Sequence, residues 1–160
     1  MKHLLLTTIA AVVLVGCCTE PVPPATKPPD ISIHDAVIGG NIEAIKRRLD
    51  ADTDVNEKNE KGWAPVHLMA VAGNKEIAEL LIAKGANLNA ITDFGWTPLH
   101  LADTKEIAEL LISKGVNVNT KNDAGETPLD WAIKRKHTQT AKLLRKHGGK
   151  TSEELKAEGK

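Results

Sequence analysis

One unit is written several times over in this chain. Pro65, Pro98 and Pro128 recur at intervals of 33 and 30 residues, in step with Gly62, Gly95 and Gly125 and with Asn56, Asn89 and Asn119. The surrounding text repeats with them: Gly62-Trp63-Ala64-Pro65-Val66-His67, Gly95-Trp96-Thr97-Pro98-Leu99-His100, Gly125-Glu126-Thr127-Pro128-Leu129-Asp130. Lys75 to Ile82 and Lys105 to Ile112 are the same octet, KEIAELLI. A period of this length means that one supersecondary unit is stacked on copies of itself, each unit touching chiefly its neighbours.

The unit has a physical reading. Thr97 or Thr127 is a good helix N-cap, with proline at the first helical position, where its missing N–H is not needed. A short first helix follows, carrying Val66, Leu68, Met69 and Ala70 in one copy. Gly73-Asn74 breaks the chain and Asn74 caps a second helix. There Ile77, Ala78, Leu81 and Ile82 line one face while Lys75, Glu76 and Glu79 point outward. Lys84-Gly85 closes the helix with a cation in its last turn and a glycine suited to the left-handed cap. A polar stretch rich in Asn, Asp and Gly turns the chain back to the next copy. Neither helix can bury its apolar face alone, so the copies must stack.

The period and the TPLH-like text resemble the ankyrin repeat. The resemblance covers residues 30–149 and implies an all-α ankyrin-repeat solenoid: about four helix-turn-helix units joined by β-hairpin-like loops. The first unit starts at Ile31, with helices near Ser32 to Ile38 and Asn41 to Ala51; the others open at Ala64, Thr97 and Thr127. In this family the repeated imidazole, here His67 and His100, hydrogen-bonds the loops between units. Residues 150–160 form a tail in which Thr151-Ser152-Glu153-Glu154 has the form of a capping box, so a short helix to about Ala157 is expected.

Two units depart from the pattern. The copy at Thr97 lacks three residues between Ala102 and Lys105, so its first helix should be about one turn, roughly 4.5 Å, shorter. Asp103, with Glu106 three positions on, then takes over as cap. The resulting notch reads either as a pocket for a partner's side chain or as a tolerated deletion. The last copy replaces the histidine with Asp130 and puts Thr140 where its neighbours have Ile77 and Ile107. Its outer helix, His137 to His147, carries Lys142, Arg145 and Lys146. A polar outer face is what a terminal repeat requires; contact with acidic lipid headgroups is the second reading of that basic end.

The N-terminus is an address. After Met1-Lys2-His3, no charged residue occurs from Leu4 to Thr19, a stretch of 16 residues. That is shorter than the roughly 20 apolar residues of a spanning helix and suits a secretory signal. Leu14-Val15-Gly16-Cys17 resembles the bacterial lipobox, which implies residues 1–16 as a lipoprotein signal peptide and Cys17 as the lipidated new N-terminus. An ordinary secretory signal or short uncleaved anchor is the alternative. Cys18, the only other cysteine, is adjacent and builds no disulfide framework. Two or three acyl chains would give stable attachment, and Cys18 as second mature residue, in place of Asp, leans toward the outer membrane in that family. Residues 17–29 are then a lipidated tether. The segment Thr19 to Asp30 holds five of the eight prolines and favours extended chain; at about 3.1 Å per residue it spans roughly 35 Å. A proline-rich ligand for a small recognition domain is the other reading.

Charge narrows the function. The 160 residues carry 21 Lys and Arg against 21 Asp and Glu, and aromatics are 2%. That excludes a general nucleic-acid binder, which needs a basic excess or a stacking platform. The balance is uneven: from Asp30 to Ile133 there are 10 basic and 17 acidic residues, and from Lys134 to Lys160 there are 9 and 3. His67 and His100 lack the cysteine or carboxylate partners of a metal site, while His3, His34, His137 and His147 are isolated in sequence. There is no phosphate loop and no nucleophile–base signature, so neither an enzyme nor a cofactor is expected.

What remains is surface. Partners of the family contact hairpin tips and the exposed side of the first helices. By position the resemblance assigns that face to Lys58, Glu60, Lys61, Trp63 and Val71, then Ile91, Asp93, Phe94 and Trp96, then Lys121, Asp123, Glu126, Lys134 and Arg135. Trp63, Phe94 and Trp96 should cluster near the middle as a binding hot spot, or else the two tryptophans pack over the hairpin base as scaffold. The implied function is a monomeric, lipid-anchored protein on the periplasmic side of a bacterial cell envelope, binding a protein partner. An inhibitor or immunity-type protein for an envelope hydrolase or toxin, and a structural spacer without a partner, are the alternatives.

Overall fold

A computed structural model describes residues 31–159. Cys17, the signal segment and the tether lie outside the described residues. Eight helices follow in order: α1 (Ile33–Ile38), α2 (Ile42–Asp50), α3 (Pro65–Ala72), α4 (Lys75–Ala83), α5 (Lys105–Ser113), α6 (Pro128–Lys134), α7 (Thr138–Lys146) and α8 (Ser152–Ala157). No strand occurs among the described residues. The helices form two rows, an inner row of α1, α3, α6 and α8 and an outer row of α2, α4, α5 and α7.

Each outer helix starts on a side-chain cap where the sequence supplies one. Asn41 accepts from the Ala44 N–H at 3.0 Å and Asn74 from Ile77 at 3.2 Å. Between the rows lies a continuous aliphatic core. Ile45, Ile77, Leu81, Ile107, Leu111 and Leu144 of the outer row meet Val37, Val66, Met69, Leu99 and Leu129 of the inner row, all essentially without solvent contact. Thr140 is also buried, at 2% exposure, so the polar residue of the last outer helix faces its core while Lys142, Arg145 and Lys146 face out.

The hairpin loops are built by short side chains. Asn59 Oδ1 accepts from the N–H groups of Lys61 and Trp63, both at 3.0 Å, Thr92 Oγ1 from Phe94 and Trp96, and Asn122 Oδ1 from Glu126 at 2.9 Å. Each tip turns at a glycine with positive φ, and at Gly95 the space is taken as well. With φ at 72°, a Cβ there would stand 2.9 Å from the Asp123 backbone nitrogen and 2.5 Å from its Oδ1. Successive hairpins are thus packed tip on tip.

The third unit differs from expectation. Its inner segment is not a shortened α-helix: His100 and Leu101 donate to Thr97 and Pro98, i to i−3, and the Asp103 N–H leaves the unit to reach Ala70 O at 3.3 Å. Three missing residues leave too little chain for an i to i−4 ladder, so a 3₁₀-like turn forms. Nor does Asp103 cap α5. Thr104 does so, weakly, accepting from Ile107 at 3.4 Å, because it directly precedes the helix.

The chain beyond Gly149 is bonded into the stack. Asn119 Oδ1 accepts from the Lys150 N–H at 2.8 Å and its amide donates to Gly148 O at 3.0 Å. This matches Asn56, whose Oδ1 accepts from the Asn87 N–H at 2.7 Å two units earlier. Thr151 caps α8 in a reciprocal box with Glu154, and Leu155 is buried. Helix α8 stands where a fifth unit's inner helix would stand, with the hairpin left out.

Candidate functional site

Three histidines fasten the units. The Ala64 N–H donates to His67 Nδ1 at 3.1 Å, so that nitrogen is unprotonated and Nε2–H donates to Ala90 O at 3.1 Å. His100 repeats this: Thr97 N–H to Nδ1 at 3.2 Å, Nε2–H to Glu126 O at 3.1 Å. Burial, the larger influence, holds both imidazoles below their ordinary pKa despite the backbone carbonyls that favour the cation. His34 is not isolated. Its Nε2 bonds Glu57 O at 2.9 Å, and the signal was available, since it precedes His67 by one 33-residue period.

Asp130 holds the same position with the opposite polarity. Its Oδ2 accepts from the Ser152 N–H at 2.8 Å and from Thr127, while the Thr127 hydroxyl donates to Lys150 O at 2.8 Å. Burial pushes this carboxyl upward, but the converging donors outweigh it and leave it below its ordinary pKa.

Over these latches lies the face on which the candidate binding residues sit. Trp63 packs edge-on to His67 at 6.1 Å between ring centroids, and Trp96 to His100 at 5.5 Å. Trp96 also meets Trp131 at 4.4 Å. Phe94 stands 66% exposed and Ile91 52% exposed on the adjacent hairpin, and Val71 is exposed at the end of α3. Both tryptophans that sequence reasoning singled out are half-buried against the histidine latches, whereas Phe94 and Ile91 are exposed apolar groups. Asp93 and Asp123 are exposed, each with its carboxylate over the glycine of the preceding hairpin, Gly62 and Gly95.

The last unit supplies cations. Lys134 Nζ lies 5.0 Å from the Trp131 ring centroid and 3.2 Å from Glu126, and Arg135 lies 5.8 Å from the same ring. Arg135 and His137 both reach Asp103, at 3.7 and 3.8 Å, across the shortened unit. Beside that contact, the starts of α5 and α7 line an open cleft of about 530 Å³. The geometry thus joins Trp96, Lys134 and Arg135 around Trp131, with Glu126 paired to Lys134, and Trp131 is a residue sequence reasoning missed. Its signal is a tryptophan at the inner-helix position where other units carry Leu68 and Leu101. Among the described residues, no group of three or more His, Cys, Asp or Glu could hold a metal ion.

A stacked two-row helical solenoid with hairpins along one edge and an exposed apolar and aromatic face is a scaffold for protein–protein interaction. A family model described as ankyrin repeats (3 copies) matches residues 33–122, and one described as ankyrin repeats (many copies) matches residues 104–145. The chain belongs to the ankyrin-repeat family. It is also similar to protein phosphatase 1 regulatory subunit 27 of Homo sapiens, with 36% identity over 37 residues, 23% of this chain and 24% of that protein. The Mus musculus protein of the same name is 35% identical over 37 residues, with the same coverage. The chain thus spans about a quarter of the length of the curated relatives it matches.

Proposed function

We propose that this chain is a membrane-anchored ankyrin adaptor that holds a protein partner on its hairpin and inner-helix face. The observation that carries the reading is that Ile91 and Phe94 are exposed on the hairpin that carries Trp96, whose ring meets Trp131 with Lys134 and Arg135 beside it. Exposed apolar side chains inside a polar rim are what a preformed binding surface offers. The anchor rests on the lipobox-like Leu14-Val15-Gly16-Cys17 and the proline-rich tether. Such an anchor raises the local concentration of whatever the face binds. Among the described residues no helix is long and apolar enough to cross a membrane. The proposed location is the periplasmic side of a bacterial cell envelope, on the outer membrane.

The experiment is capture from envelope extract by the full chain and by its Ile91→Asp/Phe94→Asp variant. Both side chains are exposed, so melting should be unchanged while partner recovery falls at least about tenfold, as for loss of apolar anchors. Equal recovery by both would discard this face, and nothing specific recovered by either would favour a spacer. Cys17→Ser should move the protein out of the membrane fraction; unchanged fractionation would remove the anchor. A second reading, a regulator or inhibitor of an enzyme, is favoured by the regulatory-subunit relative. Its signature is that the captured partner is a hydrolase inhibited one-to-one.

A further inference from the structure

The partner face leaves unused the outer side of the last unit. From Trp131 to Ser152 the chain has seven Lys and Arg and no Asp or Glu. Four of these seven have carboxylate partners: Lys134 with Glu126, Arg135 with Asp103, Arg145 with Glu154 and Lys150 with Glu158. Lys136, Lys142 and Lys146 are exposed and have no acidic partner among the described residues. Lys142 and Lys146 are one helical turn apart on the side of α7 opposite its buried Thr140, Leu143 and Leu144.

An apolar group sits beside Lys136. Ile133 is 51% exposed and, with Ala132, Ala141 and Lys136, lines a shallow groove of about 280 Å³. A protruding aliphatic beside one uncompensated amine, with two more on the following helix, suits an interface in which alkyl groups dip below a layer of phosphates. Ammonium groups are compact charges that take a phosphate from many directions, so a disordered layer of headgroups satisfies them.

We propose that this corner, formed by Lys136, Lys142, Lys146 and Ile133, docks on anionic phospholipid headgroups. This rests on the membrane-anchored reading above. The proposed anchor would hold the body close to such a surface, and contact through this corner would engage the exposed side of α7.

The test is lysine acylation, read by mass spectrometry, of the full chain on vesicles of phosphatidylcholine alone or with phosphatidylglycerol. Lys142 and Lys146 should label about fivefold more slowly on the anionic vesicles, in line with the attraction of one cation to a charged surface. Lys58 and Lys61, on the first hairpin, should be unaffected, and added salt should abolish the difference. Lys142→Glu/Lys146→Glu, both exposed, should erase the anion-dependence at Lys136 while leaving the melting curve in place. Equal labelling on both vesicles, or equal protection at Lys58 and Lys61, would overturn the proposal. So would protection conferred by added polyglutamate and not by vesicles, which would give the patch to an acidic protein. Flotation with neutral vesicles reads the anchor separately: a chain that fails to float yet shows anion-dependent protection loses the anchor and keeps this site.

Discussion

The interfaces inside the stack and the interface that ends it use one backbone position in opposite ways. At His67 and His100 the following unit brings a full hairpin whose base presents a carbonyl, so the side chain must donate, and a neutral imidazole does so. At Asp130 the hairpin is missing and the chain goes from Gly148 directly to the N-cap of α8. What faces the position is then the Ser152 N–H, an unbonded donor at a helix start, and a carboxylate accepts it. The carbonyl is left to the Thr127 hydroxyl. The lesson is that the repeat conserves a demand for hydrogen-bond satisfaction, and the residue follows from which group the next segment offers.

Exchanging the two chemistries should have the largest effect. His100→Asp would set a carboxylate against Glu126 O, orphaning two acceptors in a site only 2% exposed. A loss of about 4 kcal/mol is expected, the scale of a buried charge without a partner. Asp130→His sets a donor against the Ser152 N–H in a half-buried site and should cost about half as much. Denaturant unfolding measures both, and equal costs would break the distinction between internal and terminal latches.

Removing the terminal segment asks whether it is a cap or an appendage. Ending the chain at Gly149 deletes Leu155 from its buried site and leaves Asn119, Thr127 and Asp130 without the partners they find in residues 150–152. Burial of one leucine and the orphaned groups together come to about 3 kcal/mol. A truncated chain that melts with the full one would make α8 an ornament. The exposed ion pair of Arg145 with Glu154 contributes little to that figure, although the Arg145 hydrogen bond, with the Thr151 N–H, draws this carboxyl down to about 2.

The same contrast explains what the sequence could convey. Helix positions were legible because period, caps and glycines are local, and α3, α4 and α7 lie within a residue or two of their expected bounds. The latch at His34 was legible by the period alone. Less legible was anything set by one segment leaning on another. That Asp103 serves Arg135 and His137 instead of capping α5 depends on how far the shortened unit draws the rows together. That Trp96 finds Trp131 depends on a side chain crossing between units. That Trp63 is half-buried while Phe94 is free depends on which side of each hairpin faces its neighbour, which composition does not encode.

The smallest effect should separate the two latches by pH. Both imidazoles have folded pKa values below their ordinary 6.5, so the unfolded chain binds protons first as pH falls. The stability they contribute is present above about 6.5 and declines below it, toward the folded values. Asp130 is held below its ordinary 3.8, so its contribution is present above that value and is lost only as pH falls through the lower, folded one. Between about pH 7 and about pH 5 the melting temperature should therefore fall through the His67 and His100 interfaces and not through Asp130. Asp130→Asn should leave that decline intact and remove part of the loss seen in stronger acid. His67→Gln/His100→Gln should do the reverse, starting from a lower stability at neutral pH because the ring packing against Trp63 and Trp96 is gone. If Asp130→Asn instead flattened the decline near neutrality, the carboxylate and the imidazoles would be titrating as one system. The stack would then be coupled end to end, and not held one interface at a time.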